Sequence, residues 1–181
     1  MRFTLLILLT LMSSLAFAQK DYSLARVNKI NGKMIFYENE PVEPYDVSFT
    51  FQNDIGKEND LTQEKIMQKS MVNAGNESAN QGRPFDAIIV QHTTKRDIAV
   101  IFKDKSRDNS IARVKKHDGI LVFIQCEPIN NYEVVDKFSH TDQIDFGRIG
   151  RLINRGHKRN LEFNGLIYST STHELLIRFA Q

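Results

Sequence analysis

The chain has 181 residues, of which 41% are hydrophobic and 25% charged, and a formal net charge of +2. The composition is that of a globular protein, the length suits one domain or two very small ones, and so small a net charge gives no electrostatic footprint for nucleic acid or a membrane surface. A single cysteine, Cys126, excludes a disulfide within the chain, so the fold has to be held by its core or by partners.

Residues 1–18 have the anatomy of a secretory signal. Arg2 precedes an apolar run over residues 5–12, and Ala16-Phe17-Ala18 supplies the small residues that a signal peptidase reads, so cleavage is expected before Gln19. The apolar run is shorter than the ~20 residues that cross a bilayer, and no cysteine stands near the cleavage point to carry a lipid. The expected product is exported, periplasmic or secreted, and does not span the membrane.

The next stretch occurs twice. Residues 23–51 align without a gap on residues 110–138, and twelve of the 29 positions are identical. Repeats of this kind decide the architecture and are sought first. In the first copy Asn31-Gly32 marks a two-residue hairpin turn, matched by Asp118-Gly119 in the second. A two-residue turn sets Ile30 opposite Lys33, Val27 opposite Phe36 and Ser23 opposite Glu40. Alternation places Ala25, Val27, Met34 and Phe36 on one face and Leu24, Ile30, Ile35 and Tyr37 on the other. With two apolar faces the hairpin needs cover on both sides, a helix on one and the second copy on the other.

Glu40-Pro41 ends the second arm, and residues 45–51 alternate as a third strand. Residues 60–63 (Asp-Leu-Thr-Gln) resemble a capping box ahead of a helix from 61 to about 75, with Ile66, Met67, Ser70, Met71 and Ala74 as its inner stripe. Residues 76–84 read as a polar linker, and residues 85–91 and 98–103 as two further strands. After the charged linker 104–109 the pattern recurs: hairpin, Glu127-Pro128, a strand over 132–138, a helix from 142 to about 155 capped by Thr141, and strands over 163–169 and 175–179. The expected fold class is α+β, with mainly antiparallel sheets: two tandem β-β-β-α-β-β modules, 23–103 and 110–181, packed as a pseudo-two-fold pair with one helix each.

Three sets of residues invite a chemical reading. The repeated corner Glu40, Pro41 and Tyr45, with Glu127, Pro128 and Tyr132, is expected to be structural, with glutamate and tyrosine tying the turn to the strand. Arg148, Arg151 and Arg155 share one helix face, extended by Lys158 and Arg159, and the first helix has no such stripe. They form a candidate site for an anionic ligand. Cys126 and the five histidines lack the spacing of a metal site, and no catalytic motif is present, so neither metal nor cofactor is expected.

The pattern G-x-x-[IV]-F-x-x-x-E-P-x-x-x-Y-[DE]-V, carried by residues 32–47 and 119–134, resembles that of uncharacterised exported bacterial proteins. In outline it is similar to the small envelope α+β domains of the YbjQ and RcsF type. The resemblance implies a fold and a compartment, and no activity. The disulfides on which RcsF-type domains depend are impossible with one cysteine. The functional expectation is an exported, non-enzymatic binding or interaction module of the cell envelope, with an envelope protein or an anionic glycan as partner, no nucleic acid, and oligomerisation through sheet edges left open. The alternatives are a purely structural envelope component, or a hydrolase in which Glu40, Glu127, Cys126 and His117 converge between the repeats.

Overall fold

In the computed structural model, which describes residues 20–53, 62–91, 94, 96–139, 146–168 and 173–180, both two-residue turns form as their side chains dictate. Asn31 (φ 51°) and Gly32 (φ 76°) occupy the left-handed region, as do Asp118 (φ 50°) and Gly119 (φ 81°). Only residues that tolerate positive φ can close so short a turn.

The described residues form fourteen strands and two helices, a mixed α+β arrangement whose sheets are mostly antiparallel. The first five-stranded sheet runs β2-β3-β6-β7-β5, made of β2 (Lys29–Ile30), β3 (Lys33–Tyr37), β5 (Tyr45–Gln52), β6 (Ala87–Val90) and β7 (Arg96–Phe102). The second runs β12-β14-β13-β10-β9, made of β9 (Lys115–His117), β10 (Ile120–Ile124), β12 (Tyr132–Ser139), β13 (Gly165–Tyr168) and β14 (His173–Phe179). Each contains one parallel pair, Met34↔Ala87 in β3–β6 and Leu121↔Gly165 in β10–β13. A parallel pair requires a long crossover, and here the crossovers carry the helices α1 (Gln63–Gln81) and α2 (Phe146–Lys158). The edge strands β5 and β12 carry the same irregularity, at Val47/Phe49 and at Val134/Asp136.

A third sheet, β11-β1-β8-β4, takes strands from both halves of the chain: β1 (Leu24–Val27), β4 (Glu40–Pro41), β8 (Ile111–Arg113) and β11 (Cys126–Pro128). This corrects the expected long hairpin. Ile30 does face Lys33, and the Ile35 N–H still reaches the Asn28 carbonyl at 3.0 Å. Beyond that the arms part. Val27 lies opposite Cys126 instead of Phe36, and β1 pairs with β8 through Ala25↔Ala112. The cause is local: Glu38 (φ 58°) and Gln125 (φ 55°) turn the chain out of β3 and β10, so the segments that follow join the shared sheet. Ser23 does not meet Glu40 either; its hydroxyl donates to Asp21 at 2.5 Å. Pro41 and Pro128 lie on the two outer strands, where a missing N–H costs least.

The expected alternation holds inside the packing. Ile35 and Tyr37 bury into one apolar cluster with Ile66, Met67, Met71 and Ala74 of α1 and with Ile149, Leu152 and Ile153 of α2. Phe36 buries on the opposite side with Ala25, Val27, Ala112, Phe123 and Phe179. Side chains of this size contribute roughly 1.5–3 kcal/mol each on full burial, so the cover on both faces is the main stabilising term. Helix α1 starts later and ends later than the periodicity suggests. Thr62 caps it, accepting the Lys65 N–H at 3.2 Å, while Asp60 lies outside the described residues. It runs through the polar residues 76–81 because they have a solvent face available, and stops at Gly82 (φ 64°), whose N–H reaches the Ser78 carbonyl. The expected Thr141 cap of α2 falls outside the described residues. No helix among the described residues is long and apolar enough to cross a membrane.

Candidate functional site

The two halves differ most where the β9–β10 hairpin meets the first half of the chain. Strand register assigns the faces. Lys115 pairs with Val122 and His117 with Ile120, so they share the face that packs on α2, whereas Lys116 pairs with Leu121 on the other. On the α2 side lies a cleft of about 220 Å³. Val122 and Ile124 of β10 and Ile149 of α2 give it an apolar lining, and Lys115, Lys116 and His117 stand along one wall. Glu38 and Asn39, from the first half, form the other.

The left-handed turn at Glu38 brings those two residues there, anchored by the Glu38 N–H on the Val90 carbonyl at 2.9 Å. Asn39 is 2% exposed. Its amide nitrogen donates to the Ile124 carbonyl at 3.0 Å and lies 3.3 Å from the Cys126 sulfur. Among the described residues Lys115 has no ion-pair partner, and His117 Nε2 stands 3.6 Å from Asp118 Oδ2. That imidazole lies close to α2, where a Cβ built at Gly150 would stand 3.4 Å from Nε2.

The corresponding place in the first half is built differently. Gln125 makes the same left-handed turn, with its N–H on the Tyr168 carbonyl at 3.2 Å, but its side chain donates to Gln63 Oε1 at 2.5 Å, and both glutamines are buried. Asn28, Ile30, Tyr37 and Cys126 stand where the second half has Lys115, His117, Ile124 and, across the chain, Asn39. A larger opening of about 530 Å³ lies on the Lys116 face, bordered by Asn164, Tyr22 and Phe179. There Tyr22 stacks on Phe179 at 4.9 Å and donates to the Ala180 carbonyl at 2.5 Å.

The residues singled out by sequence are dispersed. Arg148 turns inward: its Nε and Nη2 reach the two oxygens of Glu174 at 3.0 and 2.7 Å, and Nη2 also reaches the Ser139 carbonyl. The Arg155 guanidinium lies 5.2 Å from the centre of the Phe138 ring, and Arg159 pairs with Asp136. Arg151 and Lys158 are exposed. The stripe is therefore largely committed to the protein's own acids and ring.

At the repeated corner Glu40 sits opposite Arg113 and Glu127 opposite Arg26 in the shared sheet. The arginines themselves bridge to the aspartates ahead of each copy, Arg26 to Asp108 at 2.8 Å and Arg113 to Asp21 at 3.3 Å. Hydrogen bonds from Ser110 and Ser23, first, and these arginines hold Asp108 and Asp21 below the usual carboxylate range. Burial raises Glu127, and burial followed by the Glu127 charge raises Tyr132, whose ring meets Phe179 edge-on at 6.4 Å; Pro41, Pro128 and Tyr45 are half-buried.

Cys126 does not join His117. It is 2% exposed, and desolvation pushes its thiol up to about 12, far from the thiolate character a nucleophile needs. Glu40, Glu127 and Cys126 do not line the cleft that holds His117. Among the described residues no group of three or more His, Cys, Asp or Glu side chains is disposed to hold a metal ion.

Two buried acids escaped the sequence reading. Asp97, fully buried, accepts from Asn53 Nδ2 and Ser70 Oγ, each at 2.6 Å; burial dominates and raises its pKa. At the matching place in β14, Glu174 faces Arg148 instead. The cleft residues Glu38, Asn39 and Lys115 were missed as well. Their signal lay in positions where the two copies differ, whereas motif reading favours positions where they agree. The chain matches no protein-family model, no curated protein and no solved structure.

Proposed function

We propose that this protein is an exported, non-enzymatic binding module of the cell envelope, built from two tandem modules (23–103 and 110–181) packed as a pseudo-two-fold pair, with its ligand in the cleft between Lys115 and Asn39. The cleft carries the reading: one half opens a polar-walled, apolar-floored hollow where the other half joins two buried glutamines, Gln63 and Gln125. Duplication followed by opening of one site is the pattern expected of a scaffold that acquired a ligand in one copy. The pseudo-two-fold reading is supported by matched registers, Arg26↔Glu127 with Glu40↔Arg113 and Ala25↔Ala112 between them. Export is supported by the apolar leader with Ala16-Phe17-Ala18 and by the outline of small envelope domains.

The test is equilibrium dialysis of the purified protein against a defined mixture of amino acids, dipeptides, sugar acids and sugar phosphates, read by mass spectrometry. A parallel heparin column tests an anionic glycan. Retention that is lost with Lys115→Glu and kept with Arg151→Glu supports the cleft. Retention on heparin alone, lost with Arg151→Glu and Lys158→Glu, moves binding to the helix α2 face. Retention of nothing in either format overturns the binding reading and leaves a structural envelope component.

A further inference from the structure

We infer that the larger hollow, across β10 from the cleft, is a second binding site, and that it takes a carboxylate carried on a ring. The hollow holds about 530 Å³, within the ~300–1,000 Å³ of sites for small organic molecules. The lead-in ahead of β1 builds one wall. There the Asp21 carbonyl accepts from Asn130 Nδ2 at 2.9 Å and the Ser23 carbonyl from the Val114 N–H at 2.9 Å, so Lys20, Asp21 and Tyr22 are held at the hollow. The uncommitted charge is positive. Asp21 is occupied by the Ser23 N–H and hydroxyl, at 3.0 and 2.5 Å, and by Arg113 at 3.3 Å. Lys20 and Lys116 line the hollow and have no ion-pair partner among the described residues. Lys116 borders the smaller cleft as well, but the strand register places its side chain on this face. Asn164 adds a directed donor. Its Oδ1 accepts the Phe179 N–H at 2.9 Å, which fixes the amide, and among the described residues nothing accepts from its Nδ2. Ammonium groups and an amide N–H together suit a carboxylate. Tyr22 is stacked on Phe179 at 4.9 Å and pinned by its hydroxyl to the Ala180 carbonyl at 2.5 Å. With Leu121 it offers a rigid apolar wall against which a ring can lie.

The first half shows that this place takes a charged group. Asp86 stands where the second half has Asn164. Its Oδ2 accepts the Phe102 N–H at 3.1 Å, as Asn164 accepts that of Phe179, and its Oδ1 takes the Lys105 ammonium at 2.9 Å. Arg107, the counterpart of Lys20, pairs with Glu43 at 3.0 Å and with Asp104 at 3.5 Å. In one copy, then, the chain supplies its own cation to a carboxylate. In the other an amide replaces that carboxylate beside Lys20 and Lys116, so the complementary group is an anion. Occupancy of this hollow does not depend on the cleft between Lys115 and Asn39, which lies across the sheet.

The experiment is amide NMR titration of the purified protein with D-glucuronate and benzoate, a sugar and an aromatic ring carboxylate. D-Glucose and benzamide serve as their uncharged counterparts, and inorganic phosphate as a bare anion. At least one carboxylate is expected to shift Lys116, Gly119, Leu121 and Asn164, with its uncharged counterpart at least tenfold weaker, about 1.4 kcal/mol. Which of the two binds separates a sugar acid from an aryl acid. Asn164→Asp keeps the acceptor for the Phe179 N–H, as Asp86 does for Phe102, but sets a negative charge where the donor stood. It should weaken binding at least tenfold while the folded spectrum and the melting temperature persist. If neither carboxylate shifts these residues, if the uncharged counterpart or phosphate binds as tightly, or if Asn164→Asp leaves the affinity unchanged, the inference falls. Shifts confined to Glu38, Asn39 and Ile149 would place the ligand in the smaller cleft and overturn the second site, leaving the cleft reading intact.

Discussion

Replacing Arg148 with methionine isolates what a buried ion pair does in this fold. Glu174 is fully buried and the Arg148 side chain is 22% exposed, with two well-aligned contacts between them at 3.0 and 2.7 Å. Methionine retains much of the stem's apolar contact but removes the guanidinium, and the carboxylate stays in the interior without its principal counter-charge. Breaking such a pair from one side costs ~3–5 kcal/mol. Because Arg148 is partly exposed and water reaches the site, the lower end, about 3 kcal/mol, is the expected loss. Against a total stability of ~5–15 kcal/mol that is severe. Urea unfolding followed by far-UV circular dichroism, with the m-value checked for constancy, measures it. The double variant Arg148→Met/Glu174→Leu should recover most of the loss, since an apolar pair of similar volume replaces both charges. A loss below 1 kcal/mol for Arg148→Met, the range of exposed pairs, would refute the reading of this contact as a largely buried ion pair.

Three further outcomes are expected. Asp97, raised by burial, favours its protonated form in the fold. Its contribution is therefore complete below the unfolded carboxylate pKa and declines as pH rises through the folded value; Asp97→Asn should flatten urea midpoints across that acid range, and parallel pH profiles for the two proteins would contradict this. Gly156→Ala should destabilise by about 1–3 kcal/mol, because a Cβ there would stand 2.6 Å from Leu176 and Phe163, whereas Gly75→Ala in α1, with nothing within 4 Å, should gain up to about 1 kcal/mol; a thermal melt distinguishes them. Cys126 should resist a thiol-specific disulfide reagent in the folded protein and react once urea unfolds it; fast labelling of the native state would show that the thiol is open to solvent.

Local chemistry was readable where a residue's own conformational demands decide the outcome. Asn31-Gly32 and Asp118-Gly119 announce turns, and the alternation of Met34 to Tyr37 correctly assigns both faces of β3. Pairing partners were not readable. Ala25 and Val27 are apolar on the side that becomes buried, but alternation does not say which strand lies alongside, and the left-handed residues that part the hairpin are an ordinary glutamate and glutamine, Glu38 and Gln125. The helix stripe misled for a related reason. Arginines three and four apart share a face, yet Arg148 reaches inward to Glu174 of β14, an acid 26 residues further along the chain. The candidate cleft depends on Asn39 meeting Ile124, a contact 85 residues apart, and was legible only as a list of positions at which the copies disagree.

The shared sheet also bears on how the chain can be cut and rejoined. Each half contributes two of its strands, and the central pair β1–β8 joins one half to the other. Fragments 20–103 and 104–181, made as separate polypeptides, would each carry open strand edges shaped for the other. The molecule is therefore suited to reassembly from two pieces, and a single half expressed alone has its most compatible partner in another copy of itself, meeting through Ala25 or Ala112.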